Sequence, residues 1–372
     1  MTILLVILML VVLIVAHELG HFIAAKLSGV RVQEFGVGYP PTALSLGHIG
    51  ETEYTLNWIP FGGFVRLFGD SGENERGPGS FVSAHRAKQA MILVAGICMN
   101  LIAGWMLFTV AYSLGIPRPL DTSADTPASV LPGAHLFIAG VVPGSPADSA
   151  GIRAGDELVA MVDKNDASPA TLSPEGIRSF VETHGGQKLD VSYLRSNSTG
   201  AKATSTTGVI PANAVIPGAP GKAGVGVDLV LITSNPLPLT EASMAAFHTS
   251  YGAFIAVGEN VWGIIKNAAL GSLNLQGIVG PVGLVSVVGD ASQAGLGQVL
   301  ALAGFISINL AVINLLPIPM LDGGRIVVVA FEAILRRRAP KLVIHILNTI
   351  GVVAVLLLMV VVTYHDIVRL FT

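Results

Sequence analysis

The segment HELGH occupies residues 17–21 and follows an unbroken apolar run over residues 1–16. Side chains four positions apart share one face of a helix, so His17 and His21 can direct two imidazoles at one metal ion. Glu18 stands beside the first histidine, where it can take a proton from a water at that metal. Ionisable groups are costly at the edge of a hydrocarbon core. This setting favours a catalytic site over a membrane anchor whose polar end happens to spell the motif.

The composition is that of a membrane protein that also contains a soluble region. The chain has 372 residues, of which 52% are hydrophobic and 12% are charged. Its mean hydropathy is +0.68, whereas soluble domains carry about 25% charged residues. A net charge of −3 without a dense basic run gives no case for a nucleic-acid partner. The single cysteine, Cys98, excludes an intramolecular disulfide.

Four apolar stretches are long enough to cross a bilayer. No basic residues precede the first stretch, and cleavage after it would remove or expose the HELGH segment, so we expect a retained span instead of a signal peptide. The predicted spans cover about residues 2–27, about residues 90–116, a segment from near residue 299, and about residues 342–363.

The loop between the first two spans contains segments 30–40 and 53–67, which mix alternation with Gly and Pro punctuation. They predict short antiparallel strands near the membrane surface. An edge strand there could pair with an extended substrate through backbone hydrogen bonds. The alternative is an ordinary hairpin, which periodicity alone favours.

The soluble part covers residues 117–235. Residues 141–162 read as strand, turn, short helix, turn and strand, which looks like the core of a PDZ domain. Such domains bind extended peptides or chain ends by strand addition. Residues 196–223 are rich in Ser, Thr, Gly, Ala and Pro and predict a loop insertion.

Two further segments complete the chain. Residues 236–297 include an amphipathic stretch, about 240–270, that fits either the membrane surface or a position against the spans. In residues 298–372, two prolines break the helix ahead of Asp322, which predicts irregular backbone at membrane depth. Two histidines leave a metal short of a third protein ligand, which Asp322 can supply. A helix-capping aspartate is the weaker alternative, because Asn309 and Asn314 share the same apolar segment.

Basic residues set the expected orientation. By the positive-inside rule the first and last loops are cytoplasmic, the termini and the PDZ-like domain lie outside, and the metal site faces the cytoplasmic half of the bilayer. The first loop contains Lys26, Arg31, Arg86 and Lys88, and the last contains Arg336, Arg337, Arg338 and Lys341.

The order of these motifs resembles the bacterial site-2 proteases, the intramembrane zinc metalloproteases of regulated intramembrane proteolysis, here with a single PDZ domain. The motifs are the HELGH span, GVG at 36–38, GGF at 62–64, the PDZ-like domain, GPVG at 280–283, and the Asn314 to LDG (321–323) segment. The implied fold is a polytopic α-helical membrane protein with four transmembrane helices, a membrane-associated β-hairpin loop and one extramembrane α+β PDZ domain. Its parts are 1–116, 117–235, 236–297 and 298–372.

The resemblance also implies functional roles. His17, His21 and Asp322 would bind Zn²⁺, with Glu18 as general base. Asn314 and Asn309 would position substrate, and the loop containing Gly36, Gly38, Gly62 and Gly63 would present a strand edge to an unwound substrate helix.

The implied substrates are single-span membrane proteins, such as anti-sigma factors or remnant signal peptides, cleaved in the bacterial inner membrane. Other partners are the lipid bilayer and a peptide or chain end at the PDZ domain. The competing hypothesis is a non-enzymatic membrane scaffold or transporter with a PDZ recruitment module. It accounts for the intramembrane charges but not for the spacing of the HELGH motif with a distant Asp322.

Overall fold

The computed structural model describes residues 1–70, 77–120, 133–196, 202–213, 222–271, 280–337 and 340–371. The chain forms two compact units. The helical unit comprises residues 1–114 and 237–372, and the sheet unit comprises residues 115–236.

The described residues form nine helices and ten strands. The helices are α1 (Thr2–Ser28), α2 (Arg86–Ser113), α3 (Pro146–Ser149), α4 (Pro174–Thr183), α5 (Leu239–Ala269), α6 (Pro281–Ala294), α7 (Leu296–Leu315), α8 (Asp322–Leu335) and α9 (Lys341–Phe371). The strands are β1 (Val32–Ile49), β2 (Thr52–Leu67), β3 (Arg118–Pro119), β4 (Ala134–Val141), β5 (Glu157–Val162), β6 (Leu189–Ser196), β7 (Lys202–Val209), β8 (Ala212–Asn213), β9 (Ala223–Gly224) and β10 (Val227–Thr233).

Among the described residues, three helices, α1, α2 and α7, are long and apolar enough to cross a membrane. Leu4, Leu8 and Val12 on α1 are each more than half exposed, as expected for side chains that face lipid. The prediction of a multi-pass membrane protein is therefore confirmed. The predicted fourth span, residues 342–363, falls within α9 and stays a prediction.

Helix α2 is central to the helical unit, because α1, α5 and α7 all pack against it. At the crossing of α2 and α7, a Cβ on Gly104 would lie 3.0 Å from the carbonyl oxygen of Gly304. Small residues at such a crossing let two membrane helices approach closely.

The amphipathic stretch forms α5, which packs against the membrane helices. The indole N–H of Trp105 on α2 donates to the Ser243 carbonyl at 3.0 Å, and the Tyr112 hydroxyl lies 2.7 Å from the Thr249 hydroxyl. Of the two positions that the sequence left open, the structure shows packing against the spans.

The two predicted strand segments form the long hairpin β1–β2, whose register doubles back on itself. Glu34 pairs with both Arg66 and Glu53, and Gly36 pairs with both Phe64 and Thr55. Residues 34–37 therefore lie inside a folded hairpin, and residues 63–67 form one of its outer edges.

The sheet unit contains a six-stranded antiparallel sheet in the order β3-β10-β4-β5-β6-β7. Helices α3 and α4 begin at serine caps: the hydroxyls of Ser145 and Ser173 accept from backbone N–H groups at 3.3 and 3.1 Å. The unit buries its own hydrophobic core. Fully or nearly fully buried members of that core are Leu136, Ile138, Leu158, Met161, Ile177, Leu189, Val191 and Leu231.

The prediction of a loop over residues 196–223 was wrong for part of that segment. Strand β7 pairs with β6 along its length, from Leu189–Val209 to Ser196–Lys202. The strand contains three threonines and Val209, and β-branched side chains fit a half-exposed edge well enough to outweigh a composition typical of loops. Residues 197–201 and 214–221 lie outside the described residues, as does Arg338.

Candidate metal centre

Three side chains from opposite ends of the chain converge in the helical unit. Nε2 of His17 lies 3.1 Å from Nε2 of His21, and Oδ2 of Asp322 lies 3.1 and 3.2 Å from these two atoms. Both histidines are buried. Among the described residues, the ligand atoms of these three side chains lie close enough together, within 4.8 Å of one another, to hold one metal ion.

The donor set fits zinc. Two ligands of a tetrahedral zinc ion, each bonded at about 2.0–2.1 Å, lie about 3.3–3.4 Å apart, close to the three separations in the site. Oδ2 of Asp322 is buried and has no hydrogen-bond partner among the described residues, which is costly for a carboxylate oxygen unless a cation satisfies it. Two imidazoles and one carboxylate leave a fourth position for water or substrate, as in catalytic zinc sites.

Helix α1 places the histidines one turn apart on a single face. Their rings are nearly perpendicular, at 86°, with centroids 4.7 Å apart. This arrangement directs both Nε2 atoms at one point, and the i, i+4 spacing in the sequence was enough to predict it.

Helix α2 supports both rings with residues spaced four apart. The Ile92 carbonyl accepts from Nδ1–H of His21 at 2.8 Å, which leaves Nε2 of that ring free as a ligand. A Cβ on Gly96 would collide with the His21 ring and lie 2.8 Å from Cε1 of His17, so glycine permits the close approach. One turn further, Nδ2 of Asn100 lies 3.2 Å from Nδ1 of His17.

Helix α8 supplies the carboxylate. Asp322 is the first residue of this helix, so the prediction that it lies on irregular backbone was wrong. The irregular segment ends at Leu321, one residue before Asp322. The first turn of α8 packs closely onto backbone carbonyls at the end of α7 and in the following turn, and a Cβ on Gly323 or Gly324 would collide with them. The side chain nevertheless points at the two histidines.

Two ion pairs tie α8 to residues that follow β2: Asp70, just after that strand, and Arg86, the first residue of α2. Arg325, one turn after Asp322, pairs with Asp70 and lies with its guanidinium 5.6 Å from the centroid of the Phe81 ring. Further along α8, Glu332 accepts from Arg86 at 2.7 Å. These contacts hold the helix that carries the third candidate ligand.

Glu18 lies next to the outer edge of the hairpin. The backbone N–H of Val65 lies next to its carboxylate. A Cβ on Gly63 would lie 3.6 Å from Cγ of Glu18 and 3.1 Å from the Gly36 carbonyl oxygen. The structure therefore brings the predicted base beside the end of β2.

The comparison with known protein families settles the class of protein. The model of peptidase family M50 matches residues 5–358. The chain belongs to peptidase family M50. A curated relative from Clostridium perfringens, named provisionally as a zinc metalloprotease, is 31% identical over 358 residues, which cover 96% of this chain and 95% of the relative.

Other curated relatives agree with the M50 assignment. A Clostridium acetobutylicum protein with the same provisional name is 31% identical, with 96% of this chain and 94% of the relative covered. A Campylobacter jejuni protein is 27% identical, with 96% and 91% covered. This M50 protein is a membrane metalloprotease of the zinc class. The predicted family and the predicted cofactor, Zn²⁺, are therefore confirmed.

The remaining predicted residues of this M50 protein occupy different settings. Gly38 has a φ of +82°, and its carbonyl oxygen accepts a hydrogen bond from the Asn57 side chain at 3.2 Å. Gly62 has a φ of +122° and packs against the Tyr39 ring. Asn309 donates to the Phe305 carbonyl of its own helix at 2.8 Å.

Asn314 is half-buried near the end of α7, close in sequence to Asp322. Sequence reasoning gave Asn100 no role at the metal centre and missed Gly96, Asp70 and Arg325. The four-residue spacing of Ile92, Gly96 and Asn100 on an apolar helix is the signal that could have found the supporting face.

Proposed function

We propose that this chain is an intramembrane endopeptidase of the site-2 type, which hydrolyses peptide bonds in the transmembrane segments of single-span proteins. Anti-sigma factors and remnant signal peptides, cleaved in regulated intramembrane proteolysis, are the proposed substrates. The observation that carries the proposal is that His17 and His21 lie on a helix apolar enough to cross a membrane, within 3.2 Å of Asp322. A ligand set in that position serves a substrate that is itself in the bilayer.

His17, His21 and Asp322 would hold the zinc ion. Zinc in such a site supplies a Lewis acid that activates water and polarises a carbonyl group near neutral pH. Glu18, adjacent to His17, takes a proton from the attacking water and delivers it to the amine that leaves when the C–N bond breaks. The Val65 N–H lies next to the Glu18 carboxylate.

The substrate would be bound in an extended form. A transmembrane helix has its amides hydrogen-bonded internally, so cleavage needs local unwinding, which Gly, Pro or polar residues in the substrate favour. An unwound segment can pair with the hairpin edge at residues 63–67, where Gly63 leaves room next to Glu18. Asn314 and Asn309 are proposed to orient it, with Gly36, Gly38 and Gly62 shaping the loop.

The sheet unit is proposed to be a PDZ domain that receives a peptide or chain end. Strand β10 pairs with β4 on one side, and on the other side, among the described residues, β3 covers only its last positions, Ile232 and Thr233. Residues 227–230 therefore offer a strand edge. A peptide added there would lie beside α4, which packs on β10.

For localisation we propose the bacterial inner membrane, with the metal site toward the cytoplasm and the PDZ domain outside, since the first and last loops carry basic residues close to the ends of the spans.

The test is cleavage of candidate single-span proteins by the purified full-length enzyme in detergent, with the cut site located by mass spectrometry. We expect a cut inside the apolar segment. Glu18→Gln should reduce the rate by about 10²–10⁴-fold while zinc content stays native, because only the proton acceptor is lost. Glu259→Gln, an exposed substitution on α5, is the matched control. Cleavage confined to soluble segments, or full activity in Glu18→Gln, would reject the proposal.

A further inference from the structure

Asn100 is a fully buried polar residue on a membrane helix, at 0% exposure. Its backbone carbonyl accepts from the Ser307 hydroxyl of α7 at 2.8 Å, and its side chain faces His17 of α1. Buried amides in such helices are costly unless they are hydrogen-bonded, so the amide orientation that forms a hydrogen bond is favoured.

The contact with His17 places two nitrogens together. Nδ2 of Asn100 lies 3.2 Å from Nδ1 of His17, while Oδ1 of Asn100 is buried without a hydrogen-bond partner among the described residues. Nε2 of His17 faces His21 and Asp322. A neutral imidazole that uses Nε2 as a metal ligand carries its proton on Nδ1. Nδ1–H can only donate, so it requires an oxygen at that position.

A half-turn of the amide about its last bond exchanges oxygen and nitrogen and supplies that acceptor. The neighbouring ligand shows the same arrangement, since Nδ1–H of His21 donates to the Ile92 carbonyl at 2.8 Å. Ile92 and Asn100 lie two helical turns apart on α2, with Gly96 between them against both rings. One face of α2 would thus present one carbonyl oxygen to each histidine.

We propose that Asn100 is a positioning residue whose Oδ1 accepts a hydrogen bond from Nδ1–H of His17. This bond fixes the tautomer and the ring orientation in which Nε2 points at the metal. Partners of this kind are worth about 10–100-fold in metal affinity. This role rests on the proposed metal site. Asn100 would support that site from outside the HELGH motif.

The test measures the zinc affinity of the metal-free, full-length protein in detergent by competition with a chromophoric chelator. Asn100→Leu has a similar shape but no acceptor, and should bind zinc about 10–100-fold more weakly. Asn100→Asp retains an acceptor and loses the donor, and should stay within about threefold of the native affinity. Ser307→Ala, the control, removes the other hydrogen bond at Asn100 and should change zinc affinity by less than about threefold.

The outcomes separate this inference from the proposed function. Native affinity in Asn100→Leu would overturn it, and equal losses in Asn100→Leu and Ser307→Ala would show a packing role only. A loss in Asn100→Asp as large as that in Asn100→Leu would show that the amide donates instead of accepting. Thermal unfolding of the metal-free variants reports any general loss of fold. If the native protein itself bound no zinc, the proposed function would fail instead.

Discussion

Oδ2 of Asp322 lies 3.1 Å from Nε2 of His17, although the two residues come from the last and the first part of the chain. This contact predicts the effect of removing the carboxylate. Asp322→Asn keeps the size but loses the charge, and we expect zinc affinity to fall by more than about 100-fold, since loss of a mere supporting partner costs 10–100-fold. Metal analysis and chelator competition measure it. Asp290→Asn, an exposed substitution on α6, should bind zinc normally; an equal affinity in both variants would reassign Asp322 to helix packing.

The pair of Arg325 and Asp70 should matter through the placement of α8. Because both side chains are partly exposed, the pair is worth at most about 1 kcal/mol, or about fivefold. Arg325→Asp should therefore lower zinc affinity by about two- to fivefold. Adding Asp70→Arg reverses the pair and should recover most of the loss. Failure of this double variant to recover would mean that Arg325 acts by another contact, such as that with Phe81.

The proposed orientation predicts which residues an impermeant thiol reagent can reach in intact cells. A cysteine at Thr204, exposed on β7, should be labelled directly. A cysteine at Ser83, exposed between β2 and α2, should be labelled only after permeabilisation. Both are placed in a Cys98→Ala background, which should show no labelling by itself. The reverse pattern would invert the topology and the side on which product is released.

Deleting the sheet unit should leave the metal site intact, because none of the candidate ligands lies in residues 115–236. The helical unit can be rejoined by a short Gly/Ser linker, since the N–H of Leu237 donates to the Tyr112 carbonyl at 3.1 Å. If the unit is a size filter, the shortened enzyme should still cut pre-trimmed substrates and should gain activity on untrimmed ones.

The ratio of cleavage rates for trimmed and untrimmed substrates decides between roles for the sheet unit. A fall in that ratio on deletion supports the filter. A ratio that deletion leaves unchanged would reject the filter, and equal losses for both substrates would indicate recruitment.

The stability of the sheet unit should decrease in acid because of Glu157. Burial by itself would raise the pKa of Glu157, but hydrogen bonds from Lys202 at 2.8 Å and His135 at 2.6 Å outweigh it and lower that pKa. A carboxylate with a lowered pKa stabilises the folded state above its unfolded value, about 4.3, and the benefit is lost as pH falls through the folded value.

Urea unfolding of residues 115–236 at pH 7 and in steps down to about pH 2.5 measures this effect. Glu157→Gln should reduce stability at pH 7 and flatten the pH dependence. Glu175→Gln removes an exposed carboxylate and should behave like the native unit. A native pH dependence in Glu157→Gln would assign the acid sensitivity to another group, such as Asp163, whose pKa is lowered by backbone N–H groups.

The sequence alone determined the parts of this protein that depend on local spacing. The i, i+4 histidines predict a shared ligand position, because 3.6 residues per turn bring them to one face whatever surrounds the helix. Long apolar runs predict α1, α2 and α7, since backbone groups in a bilayer must be satisfied within a helix. The need for a third ligand pointed to Asp322 on chemical grounds.

The tertiary structure decided what depends on packing between distant segments. Composition predicted a loop where β7 lies. The strand forms because it pairs with β6, and hydrogen bonds to a distant strand cannot be predicted from local propensity. The doubled register of β1 and β2 puts Gly36 inside the hairpin and Val65 beside Glu18. Asn100 could be placed in a span but not opposite His17, because the face that a helix turns to its neighbour depends on close approaches such as that at Gly96. The spacing of side chains along one helix is fixed by the hydrogen-bonded geometry of the helix itself, whereas contacts between helices are fixed only when they pack.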